Sequence, residues 1–83
     1  MSLTVNEMKD LIAFIARSLV DSPDDVRVQT FERDQGTLVE LEVAPADLGK
    51  VIGRQGRTAR ALRTLLSAAG QGARRRYILD ILD

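Results

Sequence analysis

Two hydrophobic periods alternate along this chain, and their order restricts it to one class of fold. Met8, Leu11, Ile12, Ile15 and Leu19 recur at three- and four-residue steps, which predicts an amphipathic helix over about residues 5–20. Thr4 and Glu7 have the spacing of a capping box, and Leu3 with Met8 has that of a hydrophobic staple. Asp21-Ser22-Pro23-Asp24-Asp25 stops the helix, because these residues favour turns and Pro23 disfavours helix at the residue before it. Val26, Val28 and Thr30 then alternate with Arg27, Gln29 and Phe31, and Val39, Leu41 and Val43 alternate with Glu40 and Glu42. Both runs have the period of a half-buried strand, and Asp34-Gln35-Gly36 between them predicts a hairpin.

The helical period returns after Pro45. Residues 46–51 are expected to form a short helix, with Pro45 in its first turn and Asp47 near the positive end of its dipole. Ala61, Leu62, Leu65, Leu66 and Ala69 form the stripe of a longer helix over about residues 57–69, with Gly70 and Gly72 ending it. Tyr77, Leu79 and Ile81 alternate with Arg76, Ile78 and Asp80, so residues 75–82 read as a third strand. The order αββααβ implies an α+β fold in which three helices pack on one face of a three-stranded sheet.

A chain of 83 residues builds one core, so residues 1–83 are read as a single domain. Met1-Ser2-Leu3 reads either as a vector-derived start or as native sequence. No apolar run approaches the roughly 20 residues a membrane span needs, and no signal peptide is evident, so a cytoplasmic location is the expectation. The chain has neither cysteine nor histidine. Disulfides, thiolate metal sites and the usual nucleophiles and general bases are therefore excluded, and binding is expected rather than catalysis. No cofactor, metal or small-molecule substrate is expected: Gly49-Lys50 lacks the rest of a P-loop, and the glycines do not fall in dinucleotide-binding spacing. Asp24-Asp25 and Glu40 with Glu42 read as exposed polar positions.

The net charge is zero, but its distribution is uneven. Residues 1–47 carry four basic and ten acidic side chains, whereas residues 48–79 carry Lys50, Arg54, Arg57, Arg60, Arg63, Arg74, Arg75 and Arg76 with no acid. A surface built only for solubility mixes its signs, so this block points to a polyanionic partner. Gly53-Arg54-Gln55-Gly56 lies inside it. Without a Cβ, Gly53 and Gly56 allow backbone conformations closed to other residues and a close approach of ligand to backbone. The loop opens into the start of a helix, where unpaired N–H groups and the positive dipole end favour phosphate. Lys50, Arg54, Arg57 and Arg60 would add cations there. Ile52 either floors a base-binding groove or anchors the short helix to the core. Arg74-Arg75-Arg76 either steers nucleic acid or keeps an edge strand from pairing with other chains. Arg63 reads as a solvated helix residue.

Gly49-Lys50-Val51-Ile52-Gly53-Arg54-Gln55-Gly56-Arg57, set in the order αββααβ, resembles the signature of KH domains of type II, which implies a mixed sheet. Size and element order are most similar to the small bacterial single-KH RNA-binding proteins of the KhpA type. The resemblance implies single-stranded RNA as the partner, with the loop clamping the backbone of about four nucleotides. It further implies a role as a post-transcriptional regulator or RNA chaperone, and pairing as a homodimer or as a heterodimer with another KH-containing protein. The implied RNA-binding residues are Lys50, Ile52, Gly53, Arg54, Gln55, Gly56, Arg57 and Arg60. The rival reading keeps the fold but makes it a protein–protein module whose basic block meets an acidic partner.

Overall fold

The computed structural model describes residues 3–83, so Met1 and Ser2, at the start left open above, lie outside the described residues. The expected element order is the one found: α1 (Val5–Leu19), β1 (Arg27–Arg33), β2 (Gly36–Glu42), α2 (Leu48–Ile52), α3 (Arg57–Ala73) and β3 (Tyr77–Ile81). Single 3-10 turns occupy Pro23–Asp25, Pro45–Asp47 and Arg54–Gly56.

Local chemistry sets the first helix as its sequence predicts. The Glu7 N–H donates to Thr4 Oγ1 at 3.1 Å while the Thr4 N–H donates to Glu7 Oε1 at 2.9 Å, closing the capping box. Leu3 packs against the core that holds the fully buried Met8, as a staple requires.

The sheet is mixed, with β2 central. β1 and β2 pair antiparallel across the hairpin, from Arg27 opposite Glu42 to Arg33 opposite Gly36. β2 and β3 pair parallel, from Thr37 opposite Tyr77 to Leu41 opposite Ile81. A parallel pair needs a long crossover, and the α2–α3 unit supplies it. Side chains alternate through the sheet. Val28, Val39, Leu41, Tyr77 and Leu79 are buried beneath the helices with Met8, Ile12, Val51, Leu62 and Leu66.

The last helix departs from its predicted end and from its predicted face. It runs through Gly70 and Gly72 to Ala73, and its buried residues are Ala59, Leu62, Leu66 and Gly70, while Ala61 and Leu65 are exposed. Gly70 is present for space rather than for termination. A Cβ there would collide with the Arg75 carbonyl oxygen and lie 3.3 Å from Tyr77 Cδ2, because the chain returns tightly over the helix end.

That end is a Schellman motif: the Arg75 N–H donates to the Gly70 carbonyl at 2.7 Å and the Arg74 N–H to that of Gln71 at 3.2 Å. Arg74 takes the left-handed position, φ 54°, where glycine is the usual residue. Arg74→Gly is therefore expected to raise stability by about 1 kcal/mol, measured by chemical denaturation, through removal of the left-handed penalty. Arg75 anchors the turn. Its guanidinium donates to Glu32 Oε1 at 2.9 Å and to the buried Thr37 hydroxyl at 2.9 Å, tying the head of β3 to the hairpin. Of the three consecutive arginines, this one is engaged within the fold.

Candidate nucleic-acid interface

The α2–α3 connection is built from two kinds of glycine. Gly53 ends α2 at φ 79° and ψ 170°, with its N–H donating to the Gly49 carbonyl at 2.8 Å. A Cβ at Gly53 would collide with the Thr58 hydroxyl and sit 2.8 Å from the Thr58 nitrogen, so packing excludes any side chain. Gly56 is different. Its φ of 74° is left-handed, yet nothing lies within 4 Å of where its Cβ would be. Gly53 is required by the protein's own first turn of α3, whereas Gly56 leaves open space beside its backbone. Between them Gln55 is also left-handed, at φ 57°, which turns the loop outward.

The start of α3 contrasts with that of α1. Gly56 offers no side-chain cap, and the first turn of α3 holds no acid. The orphan N–H groups that Thr4 and Glu7 satisfy in α1 receive no side-chain cap here. Arg54, Arg57 and Arg60 are all exposed at this end. The Arg57 guanidinium donates to Gln55 Oε1 at 3.3 Å, so Gln55 holds one of these cations over the loop.

A concavity of about 480 Å³ opens beside Gly56, lined by Ile52, Ala59, Arg60, Arg63 and Ile81. Its floor is aliphatic and its rim is cationic. Ile52 is 36% exposed there while its neighbour Val51 is fully buried, so Val51 anchors α2 and Ile52 faces the groove. Arg63 also lines it. Three- and four-residue steps from Ala59, which is buried, would have placed Arg63 beside the stripe rather than opposite it, had the stripe been centred on Leu62 and Leu66. None of the three aromatic side chains, Phe14, Phe31 and Tyr77, lines this groove.

Lys50 sits apart from the loop cations. Its Nζ lies 3.3 Å from Asp21 and 3.6 Å from Asp47, so its charge is shared with two carboxylates. Hydrogen bonding to Asp21 is the main reason its pKa is raised above the usual lysine value. Asp47, only 2% exposed, stands at the N-cap of α2, near the positive end of its dipole as expected, but its side chain makes no capping hydrogen bond there. Its carboxylate instead accepts the N–H groups of Ser22 at 3.0 Å and Asp21 at 3.3 Å. Burial pushes that carboxyl up, but the two N–H donors and Lys50 outweigh it and hold it below the usual range. This buried acid joins the turn after α1 to the base of α2, and so fixes the platform from which the glycine loop projects.

The sequence model of the KhpA/KhpB KH-domain family matches residues 9–81. The chain is 53% identical over 76 residues to the RNA-binding protein KhpA of Halalkalibacterium halodurans, an alignment covering 92% of this chain and all of that one. It is 48% identical over 79 residues to the protein of the same name from Aquifex aeolicus, covering 95% and 100%. With that of Bacillus subtilis the identity is 46% over 81 residues, covering 98% and 100%. Full-length matches to such relatives, together with a glycine-bounded loop between α2 and α3 under a mixed three-stranded sheet, place this chain in the KhpA/KhpB family of KH domains.

Proposed function

We propose that this protein binds single-stranded RNA, with the backbone held at the loop from Gly53 to Gly56 and the bases laid along the aliphatic groove toward Ile81. The observation that carries this reading is the start of α3: a helix end with no side-chain cap and no acid, opening on a bare-backbone bend and ringed by Arg54, Arg57 and Arg60. Gly53, Gln55 and Gly56 shape the bend, Ile52 contacts a base, and Arg63 on the groove rim extends the contact. Lys50 contributes in a second way, by fixing the base of α2 through Asp47 and Asp21, and its charge reaches RNA only in part.

With no aromatic ring in the groove, base stacking is unavailable, so one module binds weakly and with modest sequence preference. A second module held nearby would raise the affinity by effective concentration, which favours pairing with another copy or another KH-containing protein. A role as an RNA chaperone or post-transcriptional regulator in the cytoplasm accords with weak, tolerant binding. Among the described residues no helix is long and apolar enough to cross a membrane. The test is an anisotropy titration of a short labelled RNA, alone and annealed to its complement. Binding to the single strand should exceed binding to the duplex, and log affinity should fall against log salt with a slope of roughly −2 to −3, for three or four phosphates neutralised at about 0.7 each. Equal affinity for both forms would contradict the groove as the site.

A further inference from the structure

Arg75 is engaged within the fold, but its neighbours Arg74 and Arg76 are not. Both are exposed, and the ion pairs among the described residues use no arginine other than Arg75. Arg74 also stands where the backbone is strained: among the described residues, only Gln55 at φ 57° and Arg74 at φ 54° are left-handed without being glycine. The negative end of the α3 dipole favours a cation nearby, but Arg75 and Arg76 supply one without that strain. A charged side chain kept at such a position and unpaired in the fold implies a use outside it.

Arg33 joins these two from the hairpin. A concavity of about 330 Å³ at the far end of α3 is lined in part by Arg33, Arg74 and Arg76, with Glu32 and Asp34. Arg75 claims Glu32 at 2.9 Å, which leaves Asp34 at the hairpin tip against three guanidinium groups. The Arg33 guanidinium lies 5.3 Å from the centroid of the Phe31 ring, which holds it at the surface without a carboxylate. A cationic crevice between α3 and β3 joins this end to the glycine loop. Arg63, on the rim of the groove beside Gly56, also lines the next concavity, with Leu66, Arg76 and Tyr77. Arg76 and Tyr77 in turn line the one after it, with Gly70 and Arg74. No acid lines any of these three.

We propose, on the basis of the RNA reading above, that the far end of α3 is a second RNA contact, where Arg74, Arg76 and Arg33 hold phosphates of the same strand that the glycine loop clamps. The 17 residues of α3 separate the two contacts by about 25 Å, at about 1.5 Å per residue. At a stacked spacing of about 3.4 Å, about seven nucleotides cover that distance. The four or so nucleotides held at the loop fall short of it, and a longer strand reaches it. Contacts to phosphate carry no base information, so the second contact selects for length of unpaired strand rather than for sequence.

Anisotropy titrations of labelled oligouridine, as a tetramer and as a dodecamer, test this. Three proteins are compared: the wild type, the double variant Arg74→Gly with Arg76→Gln, and the variant with Arg54 and Gln55 replaced by aspartate. The double variant adds no negative charge and relieves the left-handed strain, and circular dichroism checks its fold. It is expected to bind the tetramer within about twofold of the wild type and the dodecamer roughly tenfold more weakly. Its salt slope with the dodecamer should be shallower by roughly 1.4, for two phosphates at about 0.7 each. The larger number of registers on a dodecamer raises its affinity nearly alike for every protein, so the comparison between variants removes it. Adding Arg33→Gln should weaken the dodecamer further and leave the tetramer unchanged. The loop variant should lose both oligomers. If the double variant fails to fold, Arg74→Gly alone decides, with a loss of about threefold confined to the dodecamer. Equal losses for tetramer and dodecamer would overturn the proposal, because they report general charge rather than a distant contact. So would a dodecamer bound as tightly by the double variant as by the wild type, which would leave these arginines to guard the edge of β3. A wild type that binds neither oligomer would overturn the RNA reading itself, and this inference with it.

Discussion

Replacing Arg54 and Gln55 together by aspartate is expected to lower affinity for single-stranded RNA roughly a hundredfold while the fold stays intact. Both side chains are exposed and contribute nothing to the core. Gln55 sits in the left-handed region, where aspartate is among the better-tolerated residues, so the bend survives. The loop changes from cationic to anionic at the point proposed to hold phosphate. A second effect adds to the first. The Arg57 guanidinium already reaches the Gln55 side chain at 3.3 Å, and a carboxylate in that place would draw the cation down onto the loop and away from RNA. Circular dichroism and thermal melting should match the wild type, and anisotropy should report the loss. Unchanged RNA affinity would transfer support to the reading in which the basic block meets an acidic protein.

The second large effect separates the two loop glycines by the measurement each disturbs. Gly53→Ala is expected to destabilise the fold by about 2–4 kcal/mol, the sum of a left-handed backbone and an overpacked contact. Its Cβ would drive into Thr58, whose backbone forms the first turn of α3, so the neighbour cannot move away without unwinding the helix start. Gly56→Ala adds a methyl to open space and meets only the backbone penalty, about 1 kcal/mol. Its effect belongs to binding, because that methyl occupies the room through which a phosphate would approach. Denaturant unfolding should therefore rank Gly53→Ala well below Gly56→Ala in stability. RNA titration of the still-folded Gly56→Ala should show weakened binding. Equal stability losses would mean that the two positions are alike and that Thr58 does not close on Gly53.

Much of this was legible in the sequence because the signals were local. The Thr4 and Glu7 spacing announced the start of α1, and the alternations around Val28 and Val39 announced a hairpin whose partners the register confirms. The misses came from contacts between residues distant in the chain. Gly70 and Gly72 read as a helix end because glycine is a poor helix former, and only the return of Arg75 and Tyr77 over Gly70 explains a glycine kept inside the helix. The stripe of α3 was misplaced for a related reason: Ala61 and Leu65 are apolar yet exposed, and an apolar side chain on a surface gives no mark of itself in sequence. That rotation is what brings Arg63 to the groove. Asp47 does stand at the start of α2, as its dipole reading had it, but its acceptor role toward the N–H groups of Asp21 and Ser22, more than twenty residues earlier, leaves no mark in sequence. Lys50, one residue beyond Gly49 in the motif, gave no hint that two carboxylates claim its ammonium. The difference between Gly53 and Gly56 could not be read at all, since both are the same letter and only Thr58 tells them apart.

The most direct measurement is residue by residue. Amide resonances of the isotope-labelled protein would be followed while an unstructured RNA oligomer is added at low salt. The largest shifts are expected at Gly53, Arg54, Gln55, Gly56 and Arg57, with smaller ones at Ile52, Arg60, Arg63 and Ile81. Shifts centred on any other surface, or a spectrum that RNA leaves unchanged, would contradict the claim that the bend at the start of α3 holds the strand.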